Sequence, residues 1–274
     1  MRVVTAAVLV VLAFSSGCRN NRVVRGVSDA SGRSAAALSQ DQSLMVEVPA
    51  GSFLRGSRAG EGADDERPQK RIHLDGFHID QHEVTVAQYR KCVLAGGCTA
   101  PDAGMYCNWG ESDREDHPVN YVEWEQARKY CKWAGKRLPT EAEWEKAARG
   151  TDGRTYPWGS EAASCERAVM IKGVDGCGKD RTWPVGSKSP KGDSPYGAQD
   201  MAGNVREWVS DWYGEDYYAS SPERNPQGPS SGDERVVRGG SWVNDDARAA
   251  CRDSFTPTNR NGSVGFRCVR TVQP

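Results

Sequence analysis

The chain has 274 residues, a net charge of −1 and no run of Lys or Arg, which argues against a nucleic-acid partner. Nine tryptophans beside thirty glycines suggest a loop-rich domain whose indoles hold irregular backbone in place. No repeat of roughly 20–50 residues is visible, which argues against a solenoid or a propeller.

The chain opens like a secretory signal. Met1 and Arg2 give a positive start, Val3 to Phe14 are almost all apolar, and Ser15, Ser16 and Gly17 are small. The apolar run is shorter than the roughly 20 residues a membrane span needs. Small residues directly before Cys18 predict a lipoprotein signal covering 1–18, with Cys18 lipidated at the mature N-terminus. Export to a bacterial-type cell envelope, periplasm or cell surface, follows, with the membrane as a partner through the lipid. Ser15 stands where such signals usually carry Leu, Val or Ile, so ordinary cleavage is the alternative. Residues 19–44 are mostly Ser, Ala, Arg and Asn and read as a disordered polar tether. That leaves one domain over 45–274.

MVEVPAGSFLRGS (45–57) reads as a short hairpin around a Pro-Ala-Gly turn, followed by a polar, acidic loop. RIHLDGFHIDQHEV (71–84) alternates enough for a strand. On a regular strand His78 and His82 share one face and His73 takes the other, so the three do not converge on a metal. His117, ahead of Pro118, belongs to a loop. Thr85 with Gln88 forms a capping box for a first helix carrying Val86, Tyr89 and Val93 on one face. A second helix is predicted from Val122 to Ala134, stopped by Gly135. A third is capped by Thr140 with Glu143 and ends at Gly150. Residues 151–274, dense in Gly, Pro, Asn, Asp and Trp, predict short strands and long ordered loops.

Beyond Cys18 the chain has eight cysteines, an even number that points to disulfides in an exported protein. They allow on the order of a hundred connectivities. Proximity in sequence suggests Cys92–Cys98, Cys107–Cys131, Cys165–Cys177 and Cys251–Cys268. None is spaced with His as in a zinc site.

VEWEQARKYCKWAGKRLPTEAEWEKAARG, YPWG, SPYGAQDMAGNVREWVSDWY, RVVRGGSW and VGFRCVR occur in this order. Together, over about residues 45–270, they resemble the formylglycine-generating enzyme (sulfatase-modifying factor) domain family. The resemblance implies an α+β fold of low regular secondary structure, related to C-type lectin-like folds.

Catalytic members of that family oxidise a client cysteine with O2 and Cu(I) held by a Cys-x4-Cys pair after the Gly-Gly-Ser turn. Here Asn244 stands at the first position, nothing matches the second, and Cys251 lies beyond both. An amide cannot replace a thiolate for Cu(I), so copper and formylglycine chemistry are not expected. The family cleft is expected near Asn244, Arg248 and Cys251, with Asp245 and Asp246 beside it. No catalytic residue is identified.

By the same resemblance Asp200, Gly203, Val205 and Glu207 match a calcium site; the alternative is a capping Asp200 and a Glu207 paired with arginine. The family's other calcium site, near 168–177, is not expected, because Val169 takes its asparagine position; Asp175 is its remaining match. Trp158, Trp183, Trp208, Trp212 and Trp242 occupy motif positions, mostly as core. The function expected is a non-catalytic binding or structural module for an envelope protein, peptide or glycan. The alternatives are an enzyme of the same fold with other chemistry and, failing Cys251 pairing, an active oxidase.

Overall fold

The computed structural model describes residues 41–171, 177 and 181–272, all within one unit of the chain, Leu38–Pro274. The segment expected to be a signal, Cys18 and Asp175 lie outside the described residues. The folded part begins earlier than composition suggests. Asp41, assigned to the tether, is 2% exposed, and its carboxylate holds the buried Lys136 ammonium at 2.7 Å beside Asp80. An unpaired lysine at that depth costs several kcal/mol, so the three charges bury as a set.

The first strands, β1 (Met45–Val48), β2 (Gly51–Arg55), β3 (Lys70–Leu74) and β4 (Phe77–Asp80), correct the expected hairpin. β1 pairs with β4, and β2 pairs with β3, in separate sheets. The Pro49–Gly51 bend carries the chain between them, its carbonyls held by Lys146 Nζ at 2.6 and 3.0 Å. The single strand read at 71–84 is likewise β3 and β4 broken at Asp75-Gly76.

The helices agree with their caps. α1 (Val86–Leu94) and α3 (Glu141–Arg149) carry the Thr85/Gln88 and Thr140/Glu143 boxes; α2 (Trp124–Trp133) is boxed by Glu123 and Gln126. Each such box satisfies two backbone N–H groups that the first turn leaves open. Beyond α3 come β5 (Arg206–Trp212), the single turn α4 (Tyr217–Ser220), β6 (Arg235–Arg238), β7 (Arg252–Phe255), β8 (Val264–Phe266) and β9 (Val269–Thr271). β9 joins β4, and a four-stranded sheet runs β7-β6-β5-β8 with β5 and β8 parallel.

One core cluster joins β1–β4 to α3 through Phe53, Ile72, Trp144 and Val236. A second packs α1 and α2 on β5 and β8 through Tyr89, Tyr130, Trp208 and Phe266. Two predicted disulfides form, Cys92–Cys98 and Cys165–Cys177. The other two expected pairings, Cys107–Cys131 and Cys251–Cys268, are corrected. Cys131 on α2 joins Cys268 between β8 and β9, which leaves Cys107 and Cys251 as free thiols. The reason is tertiary: β9 returns the C-terminus beside α2, where Arg137 and Val269 exchange backbone hydrogen bonds.

Candidate functional site

A cleft of about 460 Å³ opens between the 57–62 loop, the end of α3, the 152–160 loop and Arg248–Ala250. Its walls are polar and charged: Arg58, Arg149, Arg154, Arg248, Glu61 and Asp152, with Ser57, Thr155 and Ser160. None of the five motif tryptophans lines it. Trp208 is fully buried, Trp158 stacks on Tyr156 and Trp212 lies under the Arg235 guanidinium at 3.4 Å. Trp183 lies under Lys188, and Trp242 packs edge-on against Tyr106.

A buried network that the sequence does not reveal reaches the cleft through Arg149. All nine residues of α3 are buried, including Glu141, Glu145 and Arg149. Arg238 bonds Glu141 and Glu145 at 3.1 and 2.8 Å, and Arg252 forks onto Glu141 at 2.7 and 3.0 Å. Arg149 bonds Glu145 and turns its remaining donors to carbonyls of 56, 153 and 154. Burial alone would raise Glu141's pKa, but Arg252 and Arg238 hold it below the usual carboxylate range. The cations arrive from β6 and β7, far from α3 in sequence, so helical periodicity gives no sign of them.

Of the residues expected at the cleft, the structure brings Arg248 and Cys251 together and leaves Asn244 aside. Asn244 closes its own turn, accepting from Ser241 Oγ at 2.7 Å, and its carbonyl accepts from Ile171. Asp245 is exposed. Arg248 forks onto the buried Glu66 carboxylate at 2.7 and 2.8 Å and reaches Asp246 at 2.6 Å. Cys251 lies beside these acids; burial, then the Asp246 charge, push its thiol up to about 12. Cys107 sits in another loop, its thiol donating to the Asp102 carbonyl.

Copper(I) requires thiolates in concert. Among the described residues the metal-ligand cluster that forms is Glu66, Asp246 and Cys251, with a single sulfur. The donor set therefore does not fit the copper site of catalytic formylglycine oxidases.

The calcium positions fare differently. Asp200 takes a left-handed φ of 53° and accepts from Gly186 N. Glu207 accepts from Trp144 Nε1 at 2.9 Å and from Arg267 at 2.7 and 2.8 Å. Glu207 is therefore paired with an arginine through both oxygens, as the alternative to a calcium ligand expected. Gly203 is held close to Val169, whose carbonyl a Cβ at Gly203 would strike. The structure adds Glu83, which no motif signalled. It is fully buried, its Oε2 has no hydrogen-bond partner, and burial together with the Asp200 charge raises its pKa well above the carboxylate range. Three buried carboxylates, Glu83, Asp200 and Glu207, are thus gathered around the Arg267 guanidinium, but their oxygens do not converge as a metal-ligand cluster among the described residues.

No histidine enters a metal cluster among the described residues. His82 Nδ1 contacts the Glu83 carbonyl and His117 Nδ1 the Thr182 hydroxyl.

The fold is that of a sulfatase-modifying-factor domain, and the family comparison agrees: residues 31–272 match the model of the sulfatase-modifying factor enzyme 1-like domain. The chain belongs to this family. It is 38% identical to the formylglycine-generating enzyme of Streptomyces coelicolor, covering 82% of this chain and 88% of that protein. It is 30% identical to the mouse inactive C-alpha-formylglycine-generating enzyme 2, covering 83% and 86%. Among solved structures, PvdO from Pseudomonas aeruginosa superimposes with a TM-score of 0.74 at 26% identity, covering 85% of this chain and 96% of that one.

Proposed function

We propose that this chain is a binding module on the sulfatase-modifying-factor fold, exported and carried on a lipid at Cys18, that holds its ligand without oxidising it. The observation that carries this reading is the separation of the free thiols. Cys107 and Cys251 lie in different loops, and Asn244 replaces the sulfur after the Gly-Gly-Ser turn. A relative whose own name describes it as inactive is consistent with it. Three disulfides support an oxidising compartment. The polar cleft suits an extended peptide or a glycan of an envelope partner, since its walls offer guanidinium, carboxylate and hydroxyl groups side by side. The same reading keeps calcium as a structural ion at Asp200, Gly203, Val205 and Glu207.

The test is direct. Purified mature protein, loaded with Cu(I) under O2, is incubated with a cysteine peptide of a sulfatase and the product weighed by mass spectrometry. An unmodified peptide is expected; aldehyde formation overturns the reading. A second reading, an enzyme with other chemistry, is favoured by one observation, the placing of Glu66, Asp246 and Cys251 beside the cleft.

A further inference from the structure

Next to the cleft wall formed by Gly62, Arg248 and Ala250 lies a donor set to which the binding-module reading gives no role. Glu66, on the short turn Asp64–Glu66, meets Asp246 and Cys251, both in the loop between β6 and β7, so two distant backbone segments supply the three donors. A carboxylate oxygen of each acid and the sulfur lie within 4.8 Å of one another. Arg248 is the cation already among them, with 24% of its side chain exposed on the cleft side. Two carboxylates against one guanidinium leave one negative charge in excess while the thiol keeps its proton.

The wall above the group is open by construction. Gly62 lines the cleft with a left-handed φ of 63°, and a Cβ there would collide with Glu66 Oε2 and crowd Arg248. A side chain at 62 would therefore fill the approach to the carboxylate. One thiol with two carboxylates is too poor in sulfur for Cu(I) and too soft for calcium or magnesium. It suits zinc-class divalent ions, whose open sites keep three protein ligands and leave the fourth direction free. Here Arg248, which bonds both carboxylates and lines the cleft, stands between the group and the cleft.

We propose that Glu66, Asp246 and Cys251 form a binding site for a zinc-class divalent cation, covered by Arg248. On binding, the Cys251 S–H bond breaks and a sulfur–metal bond forms; the proton passes to solvent and no electron moves. Arg248 turns into the cleft. The two carboxylates, the thiolate, the guanidinium and the divalent ion then sum to zero charge, which removes the excess negative charge of the metal-free group. The site shares no residue with the calcium positions at Asp200, Gly203, Val205 and Glu207, and it does not rest on the binding-module reading.

Metal-free mature protein, its disulfides intact, is titrated with Cd2+ and with Co2+ and followed by the sulfur-to-metal charge-transfer band and by proton release. One ion, one band and one proton per chain are expected, with Zn2+ displacing the probe. Cys251→Ser abolishes the band, Cys107→Ser leaves it unchanged, and Asp246→Asn weakens binding by more than about tenfold. Arg248→Gln strengthens binding, since it removes the competing cation; a variant that only damages the fold cannot do this. No band in the wild type, a band that survives Cys251→Ser, or one lost in Cys107→Ser overturns the proposal.

Discussion

Cys251 should behave as a protected thiol in the metal-free native protein, and alkylation kinetics test this. Its pKa is pushed from 9.0 up to about 12, first by burial and then by the Asp246 charge. Three units lower the thiolate fraction near neutral pH by about 1000-fold. Intrinsic nucleophilicity rises with pKa and returns roughly 20-fold of that. The net expectation is labelling about 50-fold slower than for a cysteine in a short peptide, before steric exclusion slows it further. The assay adds iodoacetamide to EDTA-treated, unreduced protein and quantifies the Cys251 peptide by mass spectrometry against time. In denaturant without reductant, Cys107 and Cys251 should both label quickly while the six paired cysteines stay protected. Native labelling at the peptide rate would refute the electrostatic argument. A peptide linking Cys251 to Cys268 would refute the fold around it.

Other outcomes follow from the same structure. Asp211, buried beside Glu141, has its pKa raised from 3.8 to about 7 by burial and then by the Glu141 charge. Stability from this group is complete below about pH 4 and is lost as pH rises through 7, amounting to roughly 4 kcal/mol. Asp211→Asn should match the wild type near pH 4 and melt higher at pH 8, read by thermal unfolding. Replacing Cys131 and Cys268 together by Ala opens a link spanning 137 residues and should cost about 5 kcal/mol by loop entropy, against about 3 for the Cys165–Cys177 link of 12, measured in urea. Adding calcium should raise the melting temperature and chelation lower it; Asp200→Asn should remove that response, and a calcium-independent melting temperature in the wild type would sink the assignment. Glu145→Gln removes the charge that Arg149 and Arg238 share and should destabilise by about 3 kcal/mol or more, with Glu141→Gln similar.

The sequence by itself determined whatever closes within a few residues. Thr85 with Gln88 and Thr140 with Glu143 start their helices by bonds spanning three residues, and Gly135 and Gly150 end theirs in left-handed turns that favour glycine. Cys92–Cys98 and Cys165–Cys177 are short-range in the same sense. The family resemblance, carried by ordered motifs, located the Gly-Gly-Ser loop and the Asp200–Glu207 segment. Tertiary structure alone decided the rest. Proximity in sequence favoured Cys251–Cys268, yet the return of β9 beside α2 brings Cys268 to Cys131. Composition put Asp41 in a tether, yet a buried lysine ammonium requires its charge. Glu66 and Glu83 belong to no motif, because what defines them is the burial of a carboxylate against partners more than a hundred residues away. Short-range hydrogen bonds leave a local sequence signature; the pairing of buried charges and thiols depends on which segments the completed fold lays side by side.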